Sequence, residues 1–318
     1  MTIAITGATG HIGSALTPLL EAEGYALRLL VRPGASPTLR GPGDRAPQTI
    51  PGNLLNPASL AILVQGADAV IHLAARISLQ DGDDEETMRV NVEGTRLLLE
   101  AAKNAGVRRF IHLSSVTAFA QAPYQERMDE TRGPATAGAR DYEHSKVLSQ
   151  ALALGYGGLV LAPSAVIGPF DRRPSAMGRA IMDIYRGKVP ALFPGGVDFV
   201  DVRDVAEAIR QALNRGTPGT AYLLSGRWVS LKDLGNGLGR KIPVLPPWLI
   251  LGTLPLVKGW AKMTGQTPLY TRQAVHHVLC SNQKIDSAKA KTQLGWHPRP
   301  FEETLKDTIE WFQKNGML

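Results

Sequence analysis

The residues best suited to chemistry in this chain fall in three short stretches. The first is Thr6-Gly7-Ala8-Thr9-Gly10-His11-Ile12-Gly13, which follows an apolar run and opens a helical pattern. Glycines at 7, 10 and 13 suit a tight strand-to-helix turn, and the helix N-terminus behind it offers backbone N–H groups and a positive dipole end to a pyrophosphate. The second is Tyr142-Glu143-His144-Ser145-Lys146, where the phenol and the ammonium stand one helical turn apart on the same face. A tyrosine of pKa about 10 is a poor acid-base group at neutral pH until a nearby ammonium stabilises its phenolate. The third is Phe110-Ile111-His112-Leu113-Ser114-Ser115, a strand run that ends in two hydroxyls. Ser115 is expected to donate a hydrogen bond to a substrate oxygen beside Tyr142, and Ser114 to act as a turn or helix cap.

A fourth position bears on cofactor choice. After the second strand, where a dinucleotide fold selecting NAD usually places an acid for the ribose 2′-hydroxyl, this chain has Val31-Arg32-Pro33. Arg32 can bind a 2′-phosphate, with Arg40 and Arg45 extending a basic rim, so NADP(H) is favoured and NAD(H) is the alternative.

The elements that must position these residues alternate along the first half of the chain. Strands are expected at Ile3–Thr6, Ala26–Val31, Ala69–Leu73, Arg109–Leu113 and Leu159–Leu161. Helices are expected near His11–Glu23, Pro57–Val64, Glu85–Asn104 (capped by Asp83, with Glu86 three residues on) and Tyr142–Leu154. Continuous apolar strands separated by helices predict an α/β fold, a doubly wound parallel sheet of the Rossmann kind covered on both faces. Beyond Pro163 the pattern loosens, with helices near Val202–Asn214, Thr271–Val278 and Phe301–Asn315. The expected organisation is a dinucleotide-binding domain over 1–165 and a smaller substrate-binding lobe over most of 166–318, with 199–225 returning to the first domain.

The composition removes several other functions. The chain has 318 residues, 44% hydrophobic and 20% charged, so a compact globule with an ample core is expected. Its net charge of +7 is spread along the chain without interleaved aromatics, which argues against nucleic acid as a partner. The single cysteine, Cys280, can form no internal disulfide, and with seven scattered histidines it gives no metal-ligand spacing. The apolar run starting at Thr2 leaves no room for a signal peptide, so a reducing, cytoplasmic location is expected. The longest uncharged apolar stretch, Ile242–Val257, is too short to span a bilayer and is interrupted by Pro243, Pro246, Pro247 and Pro255. It is expected to pack between the lobes, with a substrate pocket near Trp248 and Trp260 or a membrane-surface contact as the sharper alternatives.

Taken together, these motifs resemble the extended branch of the short-chain dehydrogenase/reductase superfamily, the NAD-dependent epimerase/dehydratase family, over nearly the whole chain. The resemblance rests on the glycine turn, His72-Leu73-Ala74-Ala75, Asn91-Val92-Glu93-Gly94-Thr95, Leu113-Ser114-Ser115, Tyr142 with Lys146, Pro163-Ser164-Ala165-Val166-Ile167-Gly168-Pro169, and Phe199-Val200-Asp201-Val202-Arg203-Asp204-Val205-Ala206. Within that branch, residues 163–169 and Leu294-Gly295-Trp296-His297-Pro298-Arg299-Pro300-Phe301 look like the dihydroflavonol-4-reductase and 3β-hydroxysteroid-dehydrogenase group. Sugar-nucleotide epimerases, which generally carry Asn where Ala165 stands, look more distant.

The resemblance implies roles at matching positions. Gly7, Thr9, Gly10, His11, Ile12 and Gly13 would cradle the pyrophosphate, Arg32 the 2′-phosphate, and Leu73, Ala74 and Ala75 the adenosine side. Asn53, with Leu54 behind it, takes the place of an adenine-contacting acid, and Pro163, Ser164, Ala165 and Val166 would face the nicotinamide. Tyr142 would be the acid-base residue, Lys146 its electrostatic partner and a ribose ligand, and Ser115 the group that polarises a carbonyl. The Arg that commonly precedes the proline of the nicotinamide loop is Ala162 here. The expected activity is NADP(H)-dependent reduction of a carbonyl, or oxidation of the alcohol, on a fairly apolar small molecule. A sugar-nucleotide epimerase or dehydratase with retained NAD and a non-catalytic NADP-binding sensor or scaffold are the alternatives, and a homodimer is expected from the superfamily.

Overall fold

The computed structural model describes residues 1–34, 46–77, 85–135, 141–252 and 272–318. Its frame is a parallel sheet of β1 (Thr2–Thr6), β2 (Ala26–Val31), β3 (Gln48–Pro51), β4 (Ala69–His72), β5 (Arg109–Leu113), β6 (Leu159–Pro163) and β9 (Ala221–Leu224). The strand order is β3-β2-β1-β4-β5-β6-β9, with every neighbouring pair parallel. The order reverses between β1 and β4, and the carboxyl ends of those strands therefore flank the crevice where ligands of such sheets bind. β4 and β6 are buried along their whole length, which is why their sequences, His72 apart, are apolar runs rather than alternating ones.

Each face is covered as the doubly wound pattern requires. Helices α1 (His11–Ala22) and α7 (Val202–Arg215) pack together on one face, over a core that includes Ile3, Ile5, Leu16, Ile209, Tyr222 and Trp296. Trp296 is wholly buried and its indole N–H donates to the Asp204 carbonyl at 2.8 Å, which fastens the C-terminal segment to α7. On the other face α2 (Pro57–Val64), α4 (Gly94–Asn104) and α5 (Asp141–Gly155) cover Val70, Leu98, Phe110 and Val160.

The long helix expected over Glu85–Asn104 is interrupted. A π-turn at Arg89–Glu93 separates α3 (Glu85–Met88) from α4, and the expected cap Asp83 lies outside the described residues. Tertiary bonds account for the break. The Asn91 side chain accepts from the Arg76 N–H at 2.7 Å and donates to the Arg76 carbonyl at 3.0 Å, while the Asn91 carbonyl accepts from Thr95 Oγ1 at 2.5 Å.

After β6 the chain builds a second, three-stranded sheet in the order β10-β8-β7, from β7 (Ala165–Ile167), β8 (Gly196–Asp201) and β10 (Arg227–Ser230). These strands, α6 (Ala176–Tyr185), α8 (Leu231–Gly237), α9 (Arg272–Leu279) and α10 (Phe301–Lys314) surround a separate core with Ile181, Leu192, Phe199, Leu234 and Phe301. Packing between lobes does not hold for Trp248, which is 71% exposed, although its neighbour Ile250 is buried. Pro255 and Trp260 lie outside the described residues, among which no helix is long and apolar enough to cross a membrane.

Candidate active site

The glycine turn is shaped by backbone contact. Gly7 has φ +77°, and a Cβ there would stand 2.6 Å from the Ala74 nitrogen and 2.8 Å from the Leu73 carbonyl carbon. A Cβ on Gly13 would meet the Gly7 oxygen at 2.4 Å and Ala8 Cα at 2.6 Å. A side chain at either position would thus displace main chain, and in the left-handed region it would also strain Gly7. The Gly10 N–H closes the turn onto the Gly7 carbonyl at 3.0 Å, leaving Thr9 and Gly10 exposed, while Ile12 packs onto the core below. Thr6 pairs with His72 across β1 and β4, which is what brings Leu73, Ala74 and Ala75 to the turn. His11 reaches across to the Pro169 carbonyl at 2.9 Å and links the turn to the end of the 163–169 segment.

Arg32 stands exposed at the end of β2; Arg40 and Arg45 lie outside the described residues. Asn53 is exposed, but its Oδ1 already accepts the Leu55 N–H at 2.9 Å, so an adenine amine would have to share that oxygen. Leu54 is buried, 2.8 Å from where a Cβ on Gly94 would lie.

At the other end of the crevice Ser115, Tyr142 and Lys146 converge. Ser115 follows β5 and caps the short 3₁₀ turn Val116–Ala118, its Oγ accepting from the Thr117 N–H at 3.2 Å and from Thr117 Oγ1 at 2.9 Å. Its own proton is not used by these bonds, and the hydroxyl lies near enough to the Tyr142 phenol to draw its pKa down. Ser114 does not take the capping role expected of it: its backbone N–H joins the Leu161 carbonyl at 2.8 Å, and its buried hydroxyl has no partner among the described residues. Lys146, 4% exposed, donates to the Leu113 carbonyl at 3.0 Å and lies 6.0 Å from the centre of the Tyr142 ring.

Burial sets the electrostatics here. It pushes the Tyr142 phenol up to about 12, against the lowering effect of the Ser115 hydrogen bond, and the neighbouring Glu143 charge adds to the rise. The same burial brings Lys146 down to about 8. The ammonium expected to draw the phenol down does not outweigh desolvation in this arrangement.

Thr117, Asn91 and Ser145 contribute to the site although the motifs give them no role. Thr117 orients Ser115, and its place two residues beyond a strand-end serine was the available signal. Asn91 donates to Ser145 Oγ at 2.9 Å, and Ser145 Oγ to the Tyr142 carbonyl at 2.7 Å, so the π-turn anchors the first turn of α5. In the segment 163–166, Pro163 and Ser164 are buried and Ala165 and Val166 half-buried, with the Ser164 N–H on the Leu224 carbonyl at 3.0 Å. Ala162 is wholly buried among Val116, Phe119, Met128 and Leu223, so apolar packing and strand pairing support the segment where an arginine was missing. A groove of about 420 Å³ lined by Tyr185, Val229, Leu305 and Ile309 includes none of these residues.

A doubly wound sheet with a glycine turn at its switch point and a Ser, Tyr and Lys group at the carboxyl end of β5 defines an NAD(P)-binding α/β enzyme. The sequence profile of the NAD dependent epimerase/dehydratase family matches residues 3–225, and the chain belongs to that family, within the extended short-chain dehydrogenase/reductases. It is similar to the sterol demethylase protein B of Methylococcus capsulatus, 32% identical with all of both chains covered. A Synechocystis protein provisionally named a dihydroflavonol 4-reductase is also 32% identical, over 99% of this chain and 95% of its own. The crystal structure of gox2253 superposes with a TM-score of 0.82 at 32% identity, covering 100% of this chain and 99% of the other.

Proposed function

We propose that this enzyme is an NADP(H)-dependent carbonyl reductase, or the reverse alcohol dehydrogenase, acting on a fairly apolar small molecule. The observation that carries the reading is the convergence of Ser115, Tyr142 and Lys146 at the end of β5, in the same crevice as the glycine turn. The residues present fit the cofactor: Gly7 and Gly13 let the turn close tightly on Leu73, Ala74 and Ala8, and Thr9 and Gly10 are left exposed at the N-terminus of α1. Gly7, Thr9, Gly10, His11, Ile12 and Gly13 would hold the pyrophosphate, Arg32 the 2′-phosphate, Leu73, Ala74, Ala75 and Asn53 the adenosine side, and residues 163–166 the nicotinamide.

When bound, NADPH supplies the hydride that reduces the carbonyl carbon. Tyr142 gives its proton to the carbonyl oxygen, and Ser115 holds that oxygen in line through its hydroxyl. The phenol is too weak an acid while buried alone, so Lys146 has the task of stabilising the phenolate left behind. A sterol-related name on one full-length relative and a reductase name on another support a lipid-like ketone or alcohol as substrate. The test is NADPH oxidation with a panel of apolar ketones, oxo-sterols included. Tyr142→Phe is expected to lose about 10²- to 10⁴-fold in turnover while keeping NADPH affinity. Equal turnover by the variant would overturn the mechanism.

A further inference from the structure

The reaction above leaves one buried acid unused. Asp198, in the middle of β8, is 5% exposed. Its Oδ2 accepts from Ser225 Oγ at 2.7 Å, and the Gly226 backbone N–H lies close enough to favour the charged carboxyl. Among the described residues its Oδ1 has no hydrogen-bond partner and neither has the buried hydroxyl of Ser164, although Ser164 lies close enough to bias the carboxyl toward its charged form. The register explains the pairing. β7 runs parallel to β8 with Ala165 opposite Phe199, so the residues just before them, Ser164 and Asp198, fall side by side.

The charged groups on the surrounding elements are engaged elsewhere. Arg227 on β10 pairs with Glu302, Asp201 on β8 with Arg203 at 2.7 Å, and Asp286, just ahead of Ser287, with Arg127 at 2.6 Å. Asp198 thus answers to hydroxyls and one backbone amide, and burial pushes its pKa up to about 6.

We propose that Asp198 is a positioning residue for residues 163–166, holding that turn through the Ser164 hydroxyl in a chain that has Ala162 where a supporting arginine is common. The inference rests on reading the turn as the nicotinamide loop. In the acid form the carboxyl O–H donates to Ser164 Oγ. In the ionised form Ser164 donates instead, to an anion that also receives the Ser225 and Gly226 protons, and charge-assisted bonds are the stronger ones. The turn is accordingly held more firmly as pH rises through about 6.

The experiment is a fluorescence titration with NADPH from pH 5 to 8, alongside 2′,5′-ADP, which shares the titrating 2′-phosphate but has no nicotinamide. Wild type is expected to gain about two- to tenfold in NADPH affinity relative to 2′,5′-ADP as pH rises, the equivalent of one hydrogen bond. Asp198→Asn keeps acceptor and donor but does not titrate, and Ser164→Ala removes the partner; each should flatten the ratio. A ratio that is flat in wild type, or unchanged by both variants, overturns the role of Asp198 while leaving the proposed function intact. Binding of neither nucleotide by wild type would overturn both.

Discussion

His72 on β4 and His112 on β5 stand opposite each other across neighbouring strands, with ring centres 5.2 Å apart. Both are buried, yet the crevice treats them in opposite ways. His72 has a partner at each nitrogen: Nδ1 meets Thr6 Oγ1 at 2.7 Å and Nε2 meets Thr95 Oγ1 at 2.9 Å. Thr6 passes the connection on to the Ala74 N–H beside the glycine turn, and Thr95 passes it to the Asn91 carbonyl. Neither nitrogen of His112 has a partner among the described residues, and the same holds for Ser114 Oγ. The β1–β4 end is thus a closed hydrogen-bonded frame, while the β5–β6 end keeps buried polar capacity unspent. The frame is thus stabilised by its own bonds, whereas the β5 end keeps buried polar groups at a cost in stability.

Breaking the frame should therefore cost far more than simplifying the other end. His72→Leu strips hydrogen-bond partners from buried Thr6 and Thr95 and should destabilise the fold by about 2–3 kcal/mol, read from the urea midpoint. His112→Leu removes two unsatisfied nitrogens at similar shape and should be neutral or stabilising by up to about 1 kcal/mol. A large loss at His112 with little at His72 would reverse the comparison.

A further effect should appear in acid. Burial lowers His72 to about 3 and holds His112 well below its ordinary value, with the Lys146 charge adding to both effects. The unfolded chain therefore binds protons that the folded one refuses, and stability should fall as pH drops from about 6.5 toward 4. Each leucine variant should flatten the slope of unfolding free energy against pH by up to one proton, about 1.4 kcal/mol per pH unit.

The sequence made the β1–β4 end legible because its signals are local: glycines at fixed spacing, short apolar strands and capped helices. The limits of β2, β5 and α2 fall where those signals put them. What was lost depended on contacts distant in the chain. The π-turn is set by Asn91 gripping Arg76, and no periodicity records that. β7 has three residues, between Ser164 and Gly168, too few for an alternation to show, so the second sheet went unread. Ser114 and Ser115 are chemically alike, and only the fold decides which one caps the turn at Val116. Asp198 interrupts an apolar strand and carries no motif of its own, and its burial follows from pairing with β7.

The central claim is that this crevice takes NADP(H) and exchanges it during turnover. It is tested most directly by titrating the purified protein with NADPH and NADH side by side, after analysing it for nucleotide that co-purifies. Free exchange and NADPH binding tighter by about tenfold or more are expected, a preference that Arg32→Ala abolishes. NAD carried through purification, or equal affinity for both nucleotides in wild type and variant, would contradict it.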